Sequence, residues 1–150
     1  SIYPVRYTAL EPHPLPAGAL AALGRARTAG GPDRDADFLR MMTAPADAVQ
    51  ELSPWFRFMW TQRPLQGLEL HEAFDLIYFD AFSPRVQPEL WTVVCFRHVH
   101  ALLRPGGALV TYCAKGEVRR AMLAAGFAVQ RLQGPPGKRE MFRAIRTSPL

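Results

Sequence analysis

An acid closes an apolar run in Phe74-Asp-Leu-Ile-Tyr-Phe-Asp80, and Ala81-Phe82-Ser-Pro84 follows it. A carboxylate placed this way can accept a hydrogen bond or a proton from an attacking amine. It can also stabilise positive charge developing on nitrogen. The run from Phe74 to Phe82 predicts a buried parallel strand, and open α/β sheets bind ligands beyond the carboxyl ends of their strands. An Asp at that point can equally cap the turn that follows. Two nearby rings bear on the choice. Phe82 and Trp91 could stack on an unpaired base or line a small pocket, although Trp91 also opens a regular apolar stripe and so suits a core. Farther away, Val5 to Glu11 reads as a short strand ending in an acid, a place where dinucleotide folds bind a ribose hydroxyl. An exposed turn residue is the other reading of Glu11. Lys138 and Arg139 stand between two C-terminal strands and could hold phosphates or be solvated charges in a turn. Lys115 and the pair Arg119-Arg120 are weaker candidates for the same task. His13, His71, His98 and His100 show no metal-ligand spacing with acids or cysteines.

These residues need elements to position them. Pro12, Pro14 and Pro16 break the chain after the first strand, and Ala17 to Arg27 is a good helix former. Thr28 to Asp35 is a loop by composition, and Ala36 to Met42 predicts a short helix. Leu52-Ser-Pro54 punctuates the chain, and Trp55 to Thr61 predicts a second strand. After the Asp80 strand, Trp91, Val94, Cys95, His98, Val99 and Leu102 form a helical stripe with Pro88 in the first turn. Arg104-Pro-Gly-Gly107 stops that helix, and Ala108 to Cys113 predicts another buried strand. Lys115 to Gly126 predicts a helix with glycine as its stop. Phe127 to Leu132 and Glu140 to Ile145 predict two strands with no helix between them, hence a hairpin. Alternation of strand and helix argues for an α/β fold with a parallel sheet.

Composition sets the bounds. A chain of 150 residues suits one domain, here 1–150, and buries roughly 70% of its unfolded surface without staples. No apolar run reaches the ~18 residues a membrane helix needs, and no signal-peptide pattern appears. Cys95 and Cys113 lack metal spacing and suit free thiols of a cytoplasmic protein. Charge is uneven: residues 1–75 carry seven Arg and nine acids, and residues 76–150 carry nine Arg, two Lys and four acids. A basic C-terminal half suits a polyanionic partner or a solvated face in an Arg-rich proteome.

Five segments together carry a resemblance. Tyr78-Phe-Asp80-Ala-Phe82-Ser-Pro84, Gln87-Pro-Glu-Leu-Trp91-Thr92, Arg104-Pro-Gly-Gly107, Gly126-Phe127 and Gly137-Lys-Arg-Glu-Met141 resemble the MnmC-type methyltransferases. The resemblance implies a class I, Rossmann-like fold with a C-terminal antiparallel hairpin and S-adenosylmethionine as cofactor. It implies methylation of the 5-aminomethyl group on the wobble uridine of tRNA, forming 5-methylaminomethyl-2-thiouridine. The implied partners are the tRNA anticodon region and an oxidase, fused or separate. By the same resemblance Asp80 is the catalytic acid. Glu11, Asp80 and Ala81 are then on the cofactor, and Phe82, Trp91, Lys138 and Arg139 on the substrate. Two departures matter. No Gly-x-Gly-x-Gly loop precedes the strand ending at Glu11, and Thr61-Gln62-Arg63 offers no acid where the family often has one at the adenine. With Ser1 as first residue, the expectation is a fold lacking its N-terminal part and central strand, binding cofactor poorly by itself. A tRNA- or partner-binding fragment and a small-molecule methyltransferase are the competing expectations.

Overall fold

The computed structural model describes residues 3–16, 32–134, 136–137 and 139–147. The helix expected over Ala17 to Arg27 lies outside them. The chain forms two compact units, Ser1–Leu68 and Glu69–Leu150, each with its own sheet.

In the first unit β1 (Val5–Leu10) runs parallel to β3 (Phe56–Thr61), in register from Val5 opposite Phe56 to Leu10 opposite Thr61. The short strand β2 (Gln50–Ser53) pairs antiparallel on the other side of β3. Sequence reasoning places only a break there, because four residues rich in polar side chains carry no apolar alternation. Helix α1 (Pro32–Thr43) precedes β2. The Trp60 indole N–H donates to the Ala44 carbonyl at 2.7 Å, and Arg40 donates to the Glu51 carbonyl at 3.0 Å. These bonds tie the helix end to the sheet.

The second unit holds a four-stranded sheet in the order β4-β5-β7-β6. Strand β4 (Phe74–Tyr78) is parallel to β5 (Leu103–Thr111). Strand β7 (Glu140–Arg146) runs antiparallel to both β5 and β6 (Phe127–Gln133). The expected hairpin therefore forms. Helix α2 (Val93–Leu102) connects β4 to β5, and α3 (Gly116–Ala124) connects β5 to β6.

Helix α2 starts later than Pro88 suggests. Pro88–Trp91 form a 3₁₀ turn, and the Thr92 hydroxyl then caps the helix by accepting from the Cys95 amide at 3.2 Å. The buried face is Cys95, Phe96, Val99 and Leu102, while Val94 is 75% exposed. Trp91, Cys95, Val99 and Leu102 of the expected stripe are therefore buried, while Val94 points outward and Phe96 stands in the core instead. Arg104-Pro-Gly-Gly107 does not separate helix from strand. It lies inside β5 as a bulge, with Phe74 opposite Leu103 but Leu76 opposite Ala108. Gly107 permits this: a Cβ there would stand 2.9 Å from the Arg104 carbonyl oxygen and 3.1 Å from that of Asp75. Gly126 ends α3 with φ of 100°, a conformation that favours glycine.

Phe96, Val99, Leu102, Leu103, Leu109, Val118, Met122 and Phe142 form the centre of this unit's core. Full burial of each such side chain contributes about 1.5–3 kcal/mol. Strand β4 differs from the expected buried strand. It ends at Tyr78 rather than Phe82, and Leu76 and Tyr78 are exposed. Leu76 and Tyr78 share one face of the strand, and among the described residues β4 pairs with β5 alone. Cys95 and Cys113 are free and buried. Burial, helped by the charge of Glu89, pushes the Cys95 thiol up to about 11. Among the described residues no helix is long and apolar enough to cross a membrane.

Candidate active site

Asp80 stands two residues beyond the end of β4. The parallel pairing continues one residue past the strand, where the Phe79 amide donates to the Val110 carbonyl at 2.8 Å. Phe79 turns into the core and Asp80 is exposed at the carboxyl end of the parallel pair. This is the end at which α/β sheets bind ligands. The chain then leaves the sheet. Ser83 carbonyl accepts from the amides of Val86 at 2.8 Å and Gln87 at 3.0 Å, closing a turn ahead of the 3₁₀ segment.

Aromatic side chains support this loop. The Trp91 indole N–H donates to the Phe82 carbonyl at 2.8 Å, and the Tyr112 hydroxyl donates to the Ala81 carbonyl at 2.9 Å. Trp91 meets Phe79 edge-on with ring centres 5.2 Å apart, and meets Tyr112 the same way at 6.2 Å. Trp91 is buried, whereas Phe82 is 71% exposed. Burial, and then the charges of Cys113 and Asp80, raise the Tyr112 phenol above its ordinary range. The phenol is therefore a hydrogen-bond donor at neutral pH. A cavity of about 210 Å³ opens beside the loop, lined by Pro84, Pro88, Trp91 and Glu117. The Glu117 carboxylate lies 3.7 Å from Lys115 Nζ.

Register places the final hairpin at the same end of the sheet. Thr111 lies opposite Phe142, so the start of β7 is level with the residues just past β5. Arg139, exposed and one residue before β7, therefore shares the carboxyl end with Asp80, two strands across the sheet. Lys138 lies outside the described residues. Asp80, Ala81 and Phe82 follow β4 in one loop, and Trp91, in the 3₁₀ turn that follows, is bonded to it through the Phe82 carbonyl. Tyr112 and Glu117 are absent from the sequence-derived set. Tyr112 was within reach of the rule that finds Asp80, since it is the first residue past the next strand, β5.

Glu11 belongs to the first unit. Its amide donates to the Thr61 carbonyl at 2.9 Å, prolonging the β1–β3 pairing, and its carboxylate accepts from the His13 amide at 3.2 Å. The carboxylate is exposed at the carboxyl end of a parallel pair.

A model of an S-adenosyl-L-methionine-dependent methyltransferase family matches residues 58–147. The chain belongs to this family. The methyltransferase matches two proteins named tRNA 5-methylaminomethyl-2-thiouridine biosynthesis bifunctional protein MnmC. The one from Ectopseudomonas mendocina is 44% identical over 73 residues, 49% of this chain and 11% of the relative. The one from Aeromonas hydrophila is 43% identical over 95 residues, 63% of this chain and 14% of the relative. A crystal structure of MNMC2 from Aquifex aeolicus shares the fold, with a TM-score of 0.66 at 20% identity over 98% of this chain and 45% of that one. The methyltransferase chain thus spans less than a fifth of the length of these curated relatives. The family's cofactor carries a ribose diol, and an exposed carboxylate at a strand's carboxyl end, as at Glu11, fits such a group.

Proposed function

We propose that this methyltransferase N-methylates the 5-aminomethyl group of a tRNA wobble uridine, giving 5-methylaminomethyl-2-thiouridine. The names of its relatives support the substrate, and one structural observation carries the reading: an exposed carboxylate, Asp80, just beyond β4 with an exposed ring two residues on. The bound cofactor supplies an electrophilic methyl group on a sulfonium.

The chain's residues prepare the amine. A primary ammonium has no lone pair, so it first gives one proton to solvent water. The Asp80 carboxylate then accepts a hydrogen bond from an N–H of the neutral amine, orients its lone pair, and stabilises the positive charge that grows on nitrogen as the carbon–sulfur bond breaks. Phe82 offers a face on which an unpaired uracil stacks. Arg139, on the same end of the sheet, holds anticodon phosphates, with Lys138 beside it in sequence. Glu11 holds the ribose hydroxyls of the cofactor, and the backbone at Asp80 and Ala81 borders it. Trp91 borders the substrate through the cavity it lines. The relatives are named bifunctional, which supports a second activity beside this one; an oxidase, fused or separate, is the partner we propose for it.

The test is methyl transfer from labelled S-adenosylmethionine to tRNA bearing 5-aminomethyl-2-thiouridine. After digestion the label is expected in that nucleoside alone and absent when the aminomethyl group is missing. Label on another nucleoside, or none with cofactor and tRNA both saturating, overturns the reading.

A further inference from the structure

We infer that Tyr112 and Trp91 are positioning residues, a two-point clamp that fixes the Asp80 carboxylate by holding the two carbonyls after it. This rests on the reading of Asp80 as the acid at the reacting nitrogen. Beyond Phe79 the chain has left the sheet, and its carbonyls need new donors. Ala81 and Phe82 find them in Tyr112 at 2.9 Å and Trp91 at 2.8 Å. Trp91 is buried and Tyr112 half-buried, and such side chains usually find some polar partner. Here both choose adjacent carbonyls, and those are the first two after the acid.

The donors are themselves held. Tyr112 is the first residue past β5, and the Trp91 ring packs on Phe79, Phe96 and Tyr112 with centres 5.2, 6.3 and 6.2 Å away. A single aromatic group, rooted in the core, therefore grips two consecutive peptides. Fixing both removes rotation of the backbone that carries Asp80. It also leaves the Phe82 ring facing outward, 71% exposed. The geometry matters because a misplacement of about 1 Å at a reacting group can cost about 10²-fold in rate.

Tyr112→Phe is the decisive variant, since it keeps the ring against Trp91 and removes only the donor. Trp91→Phe disturbs the core more and serves as a second check. Two measurements apply to the whole protein: amide hydrogen exchange across residues 80–87, and kcat and KM for tRNA methylation. For Tyr112→Phe the loop amides should exchange several-fold faster, as expected for loss of one hydrogen bond. The kcat should fall about tenfold with KM for tRNA unchanged. Asp80→Asn is run alongside. Wild-type kcat in Tyr112→Phe beside an inactive Asp80→Asn overturns the clamp alone. Wild-type turnover in Asp80→Asn overturns the reading of the acid, and the clamp's purpose with it. Unchanged loop exchange in Tyr112→Phe also overturns the clamp.

Discussion

Arg146 Nη2 donates to Glu72 Oε1 across 2.9 Å, joining the last strand to the segment that leads into β4. Arg146 Nη1 also reaches the carbonyls of His100, Ala101 and Leu103, where α2 ends. The two partners differ in burial: the Arg146 side chain is 15% exposed and that of Glu72 is 54%. Arg146→Ala should therefore destabilise the protein by about 2–4 kcal/mol, through the orphaned carbonyls and lost packing. Glu72→Ala should cost at most about 1 kcal/mol, as for an exposed pair. Urea denaturation of both variants checks the contrast, and equal losses would contradict it.

Asp80→Asn should lower kcat for tRNA methylation by about 10²–10³-fold, the range for loss of one group that stabilises charge at the reacting atom. The affinity for tRNA should change little, because the phosphate contacts lie elsewhere. Single-turnover methylation together with a binding assay separates the two effects.

Arg139→Ala addresses the phosphates. Loss of one contact should weaken tRNA binding and flatten the salt dependence of affinity by about one unit of slope. Titrations at several salt concentrations provide the measurement, and an unchanged slope argues against a phosphate role.

His100 gives the fold a pH dependence. Burial and then the Arg146 charge lower its pKa from the ordinary 6.5, against a smaller opposing effect of a hydrogen bond with the Gly126 backbone. Near and below that value the unfolded chain binds more protons than the folded one. This contribution to stability is present above the unfolded pKa and declines as pH falls through it. Urea midpoints should fall between pH 7.5 and 5.5, and fall less in His100→Gln.

The position of Asp80 at the carboxyl end of β4 was legible because an apolar run ending in an acid reads as a strand, and the β6–β7 hairpin because no helix separates its strands. Most of the α2 face was legible too, with Cys95, Val99 and Leu102 buried as the stripe predicts, but its start was not, since Pro88 opens a 3₁₀ turn and the helix begins at the Thr92 cap. The RPGG segment reads locally as a stop. Only the pairing of β4 with β5 shows it as a bulge against the Asp75 carbonyl. The place of Tyr112, one residue past β5, follows the same strand-end rule as Asp80, but its partner does not: the bond to the Ala81 carbonyl depends on the register of Tyr78 with Val110.

Among the described residues β4 is bonded on one side only, and that has a thermodynamic consequence. A strand bonded on one side is a template for another extended segment, and this one ends two residues before Asp80. Any segment that pairs there adds hydrogen bonds to the backbone that leads into the acid. If pairing there changes the affinity of the Asp80 end for a ligand, linkage is reciprocal, and that ligand changes edge pairing by the same factor.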